Sequence, residues 1–181
     1  MHIRRIWNLR GPNMWARDPV LEVWVELGQF ARWRSTAPGF AERLLALLPG
    51  LRQHPAAGGA TGEFVEQLAQ GVTLAHVLER VVVELQRCAG GKASFGNTAG
   101  VTAEPDTYRV IVAYEEPAVA EACLEVGVRL CLAAAHGEPF DLDSQLPRLR
   151  DLVESNRYGR ATAALAAAAR RRNIAVEHLN P

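Results

Sequence analysis

The sequence is poor in lysine, cysteine and long apolar runs. Lys92 is the single lysine among 20 basic side chains, so nearly all of its positive charge is arginine. Cys88, Cys123 and Cys131 are odd in number and lack the CxxC spacing of a zinc site, which predicts free thiols in a reducing compartment. No apolar stretch reaches the length of a membrane helix or a signal-peptide core. These absences predict a cytoplasmic protein with no membrane partner.

Charge of either sign is not in excess. The 20 basic and 20 acidic side chains cancel to a net charge of zero at pH 7, which argues against a nucleic-acid partner. The signs are nevertheless separated along the chain, since residues 115–143 are mainly acidic and residues 148–172 are rich in arginine. Two explanations of the arginine bias remain open: its planar guanidinium suits the binding of carboxylates, and its frequency follows the base composition of the coding DNA. We expect most of this pattern to be solvated surface.

The length is sufficient for a self-supporting core. A chain of 181 residues with 49% apolar content can bury about 70% of the surface that it exposes when unfolded. Residues 2–9 and 21–27 alternate between apolar and polar side chains on either side of a Gly-Pro-Asn turn. This pattern predicts an antiparallel strand pair with one solvated face.

The remaining pattern predicts mainly helices. We expect them over residues 40–48, 63–70, 74–88, 118–135, 143–155 and 160–172, with Thr73 capping the third and Pro117 opening the fourth. A loop is expected over residues 54–62. Strands are expected over residues 92–97 and 108–114. The order predicts an α+β fold with a small antiparallel sheet packed against helices and a helical C-terminal segment.

Several common catalytic signatures are missing from the sequence. It has no GxxxxGK[ST] phosphate loop, no GxGxxG, no GxSxG and no cysteine with an evident histidine partner. None of these common signatures therefore indicates a reaction for this chain.

One helix carries a polar constellation. His76, Glu79, Arg80 and Glu84 share one side of the 74–88 helix, in the pattern HxxER. In the HxxEH pattern two histidines bind zinc and the glutamate activates water, but here Arg80 places a fixed cation at the second histidine. We do not expect zinc, and His76 and Glu84 are only weak candidate ligands. The alternative interpretation is charge pairing on a solvated helix face.

Taken in order, several segments are similar to one family, the N-terminal domain of cyanophycin synthetase. The resemblance extends from residue 2 to about residue 155. The matching segments are Leu9-Arg10-Gly11-Pro12-Asn13 with Trp15, Pro38-Gly39-Phe40, Gly62 with Phe64, His76-x-x-Glu79 with Val83-Glu84-Leu85-Gln86, Phe95-Gly96-Asn97-Thr98, and Tyr108-Arg109-Val110-Ile111-Val112-Ala113-Tyr114 before the Ala118 helix.

The resemblance implies a parent enzyme with further domains. Cyanophycin synthetases are cytoplasmic homo-oligomers that use ATP to build poly-aspartate with arginine on each side chain, through an ATP-grasp domain and a Mur-ligase-like domain. Residues 1–157 would then be the N-terminal domain, and residues 158–181 a C-terminal helix or linker toward a missing ATP-grasp domain. ATP and magnesium are expected only in the missing ligase domains, and no cofactor in this chain, which is expected to be non-catalytic by itself.

The role implied by the resemblance is to bind and anchor the growing aspartate/arginine polymer. Acidic groups would meet its guanidinium groups and arginine forks its carboxylates. The candidate polymer-binding residues are Arg10, Asn13, Arg17, Glu79, Arg80 and Glu84. Two alternatives remain open: a zinc-dependent hydrolase that cuts the polymer into primers, with His76 and Glu79 as vestigial catalytic residues, and a stand-alone scaffold protein.

Overall fold

A computed structural model describes residues 1–53, 63–156, 160–172, 174 and 176 of the chain. These residues form a four-stranded antiparallel sheet and a set of helices, so the predicted α+β fold with a helical C-terminal part is confirmed. The strands are β1 (His2–Leu9), β2 (Val20–Glu26), β3 (Gly96–Gly100) and β4 (Thr107–Ala113). The α-helices are α1 (Phe40–Leu47), α2 (Glu63–Gln70), α3 (Leu74–Cys88), α4 (Pro117–His136), α5 (Leu146–Ser155) and α6 (Arg160–Arg171), with 3₁₀ turns at Gly28–Phe30 and Pro49–Gln53.

The sheet has the strand order β1-β2-β4-β3, and every neighbouring pair is antiparallel. The predicted pair β1 and β2 is confirmed, with a register shift between Ile3 and Arg5. The predicted strand at residues 92–97 was wrong in position, since β3 begins at Gly96 and pairs Gly96 with Val112. Glycine and alanine have weak strand propensity, so pairing with β4 rather than local sequence decides where β3 lies.

The helices cover one face of the sheet. Alternation along β2 turns Leu21, Val23 and Val25 toward this side, where all three are fully buried with apolar side chains of α3 and α4. The two helices approach closely at Gly127 of α4, where a Cβ would lie 3.1 Å from Val82 Cγ2. The main core therefore lies between the sheet and the α3–α4 pair.

The opposite face, which we call the outer face, is less solvated than predicted. Val20, Ile111 and Ala113 are buried there in a second, smaller apolar cluster to which Trp15 contributes. Trp15 belongs to the loop between β1 and β2, which folds back over the sheet. The prediction of one solvated face was wrong for this part of the sheet. The loop between β1 and β2 is longer than a tight turn, and its side chains pack over the outer face.

Some predictions concern residues outside the described ranges. The loop at residues 54–62, including Gly62, and the domain boundary at residues 157/158 lie there. Within the described residues, Cys88, Cys123 and Cys131 are free thiols; Cys123 and Cys131 are buried, whereas Cys88 is half-buried. No helix in the same part of the chain is long and apolar enough to cross a membrane.

Candidate functional site

Helix α3 carries the predicted polar residues into the interior of the domain. Thr73 caps the helix as predicted, accepting a hydrogen bond from the backbone N–H of His76. Glu79, Arg80 and Glu84 are only 0%, 4% and 6% exposed. The interpretation of these residues as a solvated helix face was therefore wrong. The helix is covered on both sides, because β3 and β4 pack against it and the Pro49–Gln53 turn covers Glu84.

Glu79 is the centre of a small buried polar cluster. Its Oε2 accepts a hydrogen bond of 3.3 Å from Thr98 Oγ1 on β3 and lies 3.5 Å from His76 Nδ1. Its Oε1 lies 3.3 Å from Arg80 Nε. The carboxylate rests directly on the backbone of β3, since a Cβ at Gly96 would lie 2.1 Å from Oε1. The absence of a side chain at Gly96 is thus what admits the carboxylate.

Burial shifts the proton equilibria of this cluster. Desolvation raises the pKa of Glu79 to about 7, against the opposing effects of Arg80 and the Thr98 hydrogen bond. Desolvation, and then the Arg80 charge, lowers the pKa of His76 to about 4. His76 is therefore neutral at pH 7, and its Nε2 lies 3.0 Å from the amide oxygen of Gln67. A neutral ring that donates Nε2–H to this oxygen presents its Nδ1 lone pair toward Glu79.

These residues do not fit a catalytic zinc ion. Such an ion takes three protein ligands, and the arginine at the second histidine position forms an ion pair with Glu79 instead. Glu84 lies eight residues beyond His76, about 12 Å along the helix. Among the described residues, no three His, Cys, Asp or Glu side chains are grouped so that they could hold a metal ion.

Glu84 has its own surroundings at the far end of α3. Its Oε2 lies 3.6 Å from Arg87 Nη1, and its Oε1 accepts a hydrogen bond of 3.7 Å from the Cys88 thiol. A Cβ at Gly50 would collide with the carboxylate, so the Pro49–Gln53 turn packs directly on it. Burial and the Glu84 charge raise the pKa of Cys88 to about 11, which leaves this thiol unreactive at neutral pH. The structure therefore does not bring His76 and Glu84 together.

The other predicted residues lie in the loop between β1 and β2. Asn13 Oδ1 accepts hydrogen bonds from the backbone N–H groups of Trp15 and Ala16, and Nδ2 donates to the carbonyl oxygens of Gly11 and Asp18. The amide of Asn13 therefore holds the loop in shape. Arg10 and Arg17, from the same loop, are both exposed.

The outer face holds a polar cluster that local sequence patterns did not indicate. Glu22 accepts hydrogen bonds from Trp15 Nε1 at 2.7 Å and from Trp24 Nε1 at 3.1 Å, and is 9% exposed. The guanidinium of Arg109 lies 4.9 Å from the centre of the Trp15 ring. Strand alternation predicted that Glu22 and Trp24 share a face, but no signal near Trp15 showed that its ring would reach them.

Comparisons with known proteins agree on one family. A family model described as cyanophycin synthase-like N-terminal domain matches residues 22–136. Cyanophycin synthetases of Trichormus variabilis and of a Nostoc species are each 32% identical over 180 residues, covering 96% of this chain and 20% of theirs. The cyanophycin synthetase of a Synechocystis species is 31% identical over 180 residues, again covering 96% of this chain and 20% of the relative. The chain thus spans about a fifth of the length of the curated relatives it matches.

Proposed function

The chain belongs to the cyanophycin synthase-like N-terminal domain family, and on that premise we propose that it binds and anchors the growing multi-L-arginyl-poly-L-aspartate chain. It does so for a cyanophycin synthetase, or a close homologue, whose other domains carry out ATP-dependent polymerisation in the cytoplasm. The observation that carries this proposal is the match to cyanophycin synthetases along 96% of the chain.

The chemistry of the polymer favours a receptor with both signs of charge. Each repeat offers a guanidinium and a carboxylate, which pair with acidic side chains and with arginine forks respectively. Exposed acidic side chains lie along α4, at Glu121 and Glu125, and arginines accessible to solvent lie in the β1–β2 loop at Arg10 and Arg17. Electrostatic complementarity of this kind gives specificity and rapid association more than high affinity.

The α3 cluster favours a structural role over direct contact with the polymer. Glu79 and Arg80 neutralise each other, and neither has the exposed surface that a polymer side chain would need. Of the six candidate residues, Arg10 and Arg17 have the charged groups with access to solvent, and we expect them to contribute more to binding than Glu79, Arg80 or Glu84.

Calorimetric titration tests the proposal. The chain is titrated with soluble cyanophycin segments in low salt, and saturable binding that weakens as salt is added is the expected result. The charge-reversed variant Arg10→Glu/Arg17→Glu should bind more weakly, whereas Arg52→Glu/Arg172→Glu, which alters two exposed arginines elsewhere, serves as the matched control. A chain that takes up no segment at low salt contradicts the proposal.

The hydrolase alternative has one observation in its favour, which is the neutral His76 beside Glu79. We nevertheless propose a non-catalytic domain without zinc, because Arg80 is paired with the carboxylate that would have to activate water. Metal analysis of protein purified without chelator, together with a cleavage assay on cyanophycin, decides between the two. Bound zinc with cleavage would establish the hydrolase, and gain of both by Arg80→His would identify the wild-type site as a degenerate one.

The stand-alone scaffold and the anchoring domain differ in whether the gene encodes further domains after residue 181. We propose that ATP-grasp and Mur-ligase-like domains are present there, as part of a homo-oligomeric enzyme. Reading the gene beyond the codon for Pro181 distinguishes these cases, and size-exclusion chromatography of the whole gene product measures its oligomeric state.

A further inference from the structure

The outer face of the sheet carries a row of side chains that the family assignment does not explain. Arg5 of β1 pairs in register with Trp24 of β2, and Trp24 pairs with Arg109 of β4. Adjacent strands are separated by about 4.8 Å, so the two arginines start about 10 Å apart with an indole between them. The row is a consequence of strand register, which brings together residues 104 positions apart in sequence.

Aromatic rings hold both guanidinium groups in place. Arg5 lies over the ring of Trp7 at 5.9 Å, and Arg109 lies over the ring of Trp15 at 4.9 Å. Trp7 in turn packs edge-on against Trp24, with ring centres 5.7 Å apart. Stacking on aromatic faces restricts a guanidinium without using its hydrogen-bond donors. The two forks are therefore positioned in advance, which lowers the entropy cost of binding a ligand.

Neither arginine is neutralised by a carboxylate of the described chain. No Asp or Glu oxygen in those ranges lies within 4.0 Å of either guanidinium, whereas the neighbouring Arg4 pairs with both Glu26 and Glu104. Glu22 lies diagonally between Arg5 and Arg109, but its two oxygens accept the indole N–H groups of Trp15 and Trp24. The row therefore presents two guanidinium groups that can donate hydrogen bonds to the carboxylates of a ligand.

The same arrangement disfavours a cationic ligand. A guanidinium from outside would need an open aromatic face or a carboxylate, and here Arg5 and Arg109 already lie over Trp7 and Trp15. Within the row, Arg5 is exposed and Arg109 is half-buried. Beside it, the ring of Trp7 is 38% exposed. Charge complementarity selects an anion.

We propose that the outer face at Arg5, Trp24 and Arg109 is a binding site for two carboxylate groups carried on one extended chain. The identity of that chain rests on the proposed function: it is the aspartate/arginine polymer, whose carboxylates the two forks bind. Trp24 forms the floor between the two forks.

Tryptophan fluorescence tests the site directly. The full chain is titrated in low salt with short poly-L-aspartate, with poly-L-arginine and with cyanophycin segments. Poly-L-aspartate and the segments should change the emission in a saturable way, whereas poly-L-arginine should not. Arg5→Gln and Arg109→Gln should each weaken poly-L-aspartate binding about tenfold, the loss of one charge-assisted contact. The control Arg52→Gln/Arg172→Gln should bind as the wild type does.

Two further measurements keep the outcome decisive. Far-UV circular dichroism and thermal unfolding show whether Arg109→Gln is folded, and Arg109→Lys, which keeps the charge but not the planar fork, should lose part of the affinity. Equal binding by the arginine variants and the control overturns the site while leaving polymer binding intact. Binding of poly-L-aspartate but not of the segments retains the carboxylate site and overturns the polymer role. Equally tight binding of a single-stranded oligonucleotide overturns the carboxylate assignment.

Discussion

Glu79 Oε1 lies 3.3 Å from Arg80 Nε inside the domain, and the two side chains are 0% and 4% exposed. Adjacent residues on a helix do not face each other, so this contact depends on both side chains being confined by the sheet. Because both side chains are buried, the two charges of this ion pair have lost most of their hydration. The stability of the domain therefore depends on keeping the two charges together.

Removal of the arginine should be strongly destabilising. Arg80→Met leaves the Glu79 carboxylate buried without its cation, and breaking a buried pair in this way typically costs about 3–5 kcal/mol. Urea unfolding at pH 8, followed by circular dichroism, measures the free energy of unfolding. The exposed Arg52→Gln is the control and should lie within about 0.5 kcal/mol of wild type. The double variant Glu79→Leu/Arg80→Met should recover most of the loss; if it is no more stable than Arg80→Met alone, the pairing argument is wrong.

Stability should depend on pH through two opposing groups. The pKa of Glu79 is raised from 4.5 to about 7 on folding, so the folded state holds more protons and stability falls as pH rises from 4.5 to 7. The pKa of His76 is lowered from 6.5 to about 4, so the folded state holds fewer protons and stability rises between pH 4 and 6.5. In the wild type the two effects largely cancel between pH 4.5 and 6.5.

Single substitutions should separate the two contributions to the pH dependence of stability. His76→Gln should lose stability as pH rises from 4.5 to 7, and Glu79→Gln should gain stability from pH 4 to 6.5, each by at most about 1.4 kcal/mol per pH unit. Urea unfolding across this range measures both. Parallel profiles for the two variants would show that neither group titrates in the way that its burial indicates.

Gly96 should be intolerant of a side chain. A Cβ there would lie 2.1 Å from Glu79 Oε1, so Gly96→Ala must displace a buried carboxylate, at a cost of about 1–3 kcal/mol. Gly100→Ala, in the same strand, is the matched control because its nearest contact is Tyr108 Cε1 at 4.0 Å. Thermal unfolding of both variants provides the comparison. Equal destabilisation would mean that strand backbone effects, and not the carboxylate, govern Gly96.

Glu22 should stabilise the loop that covers the outer face. Glu22→Leu removes the acceptor of two indole N–H groups, and the loss of hydrogen bonds to a charged group costs about 1.5–3 kcal/mol each before relaxation. The near-UV circular dichroism of Trp15 and Trp24 should change together with stability. Glu26→Leu, which loses only the exposed pair with Arg4, is the control and should leave this signal unchanged.

Much of the fold could be predicted from local patterns. The alternation of Leu21, Val23 and Val25 predicted β2 and its buried face, and Thr73 and Pro117 predicted where α3 and α4 begin. These signals are local because a strand repeats every two residues and a helix cap concerns only one turn. The resemblance to the cyanophycin synthetase N-terminal domain was likewise readable from ordered segments, and the comparisons confirm the family.

The surroundings of the polar residues could not be predicted in that way. The 74–88 pattern predicted that His76, Glu79 and Arg80 share a helix face, but not that β3 would cover this face. β3 itself has little propensity of its own and exists through its pairing with β4.

The row formed by Arg5, Trp24 and Arg109 depends on register across three strands. The sequence by itself determined the family, the helices and strands other than β3, and which residues are polar. Only the tertiary structure decided which charges are buried and which stand side by side on a surface, because burial and cross-strand pairing depend on elements that are distant in the chain.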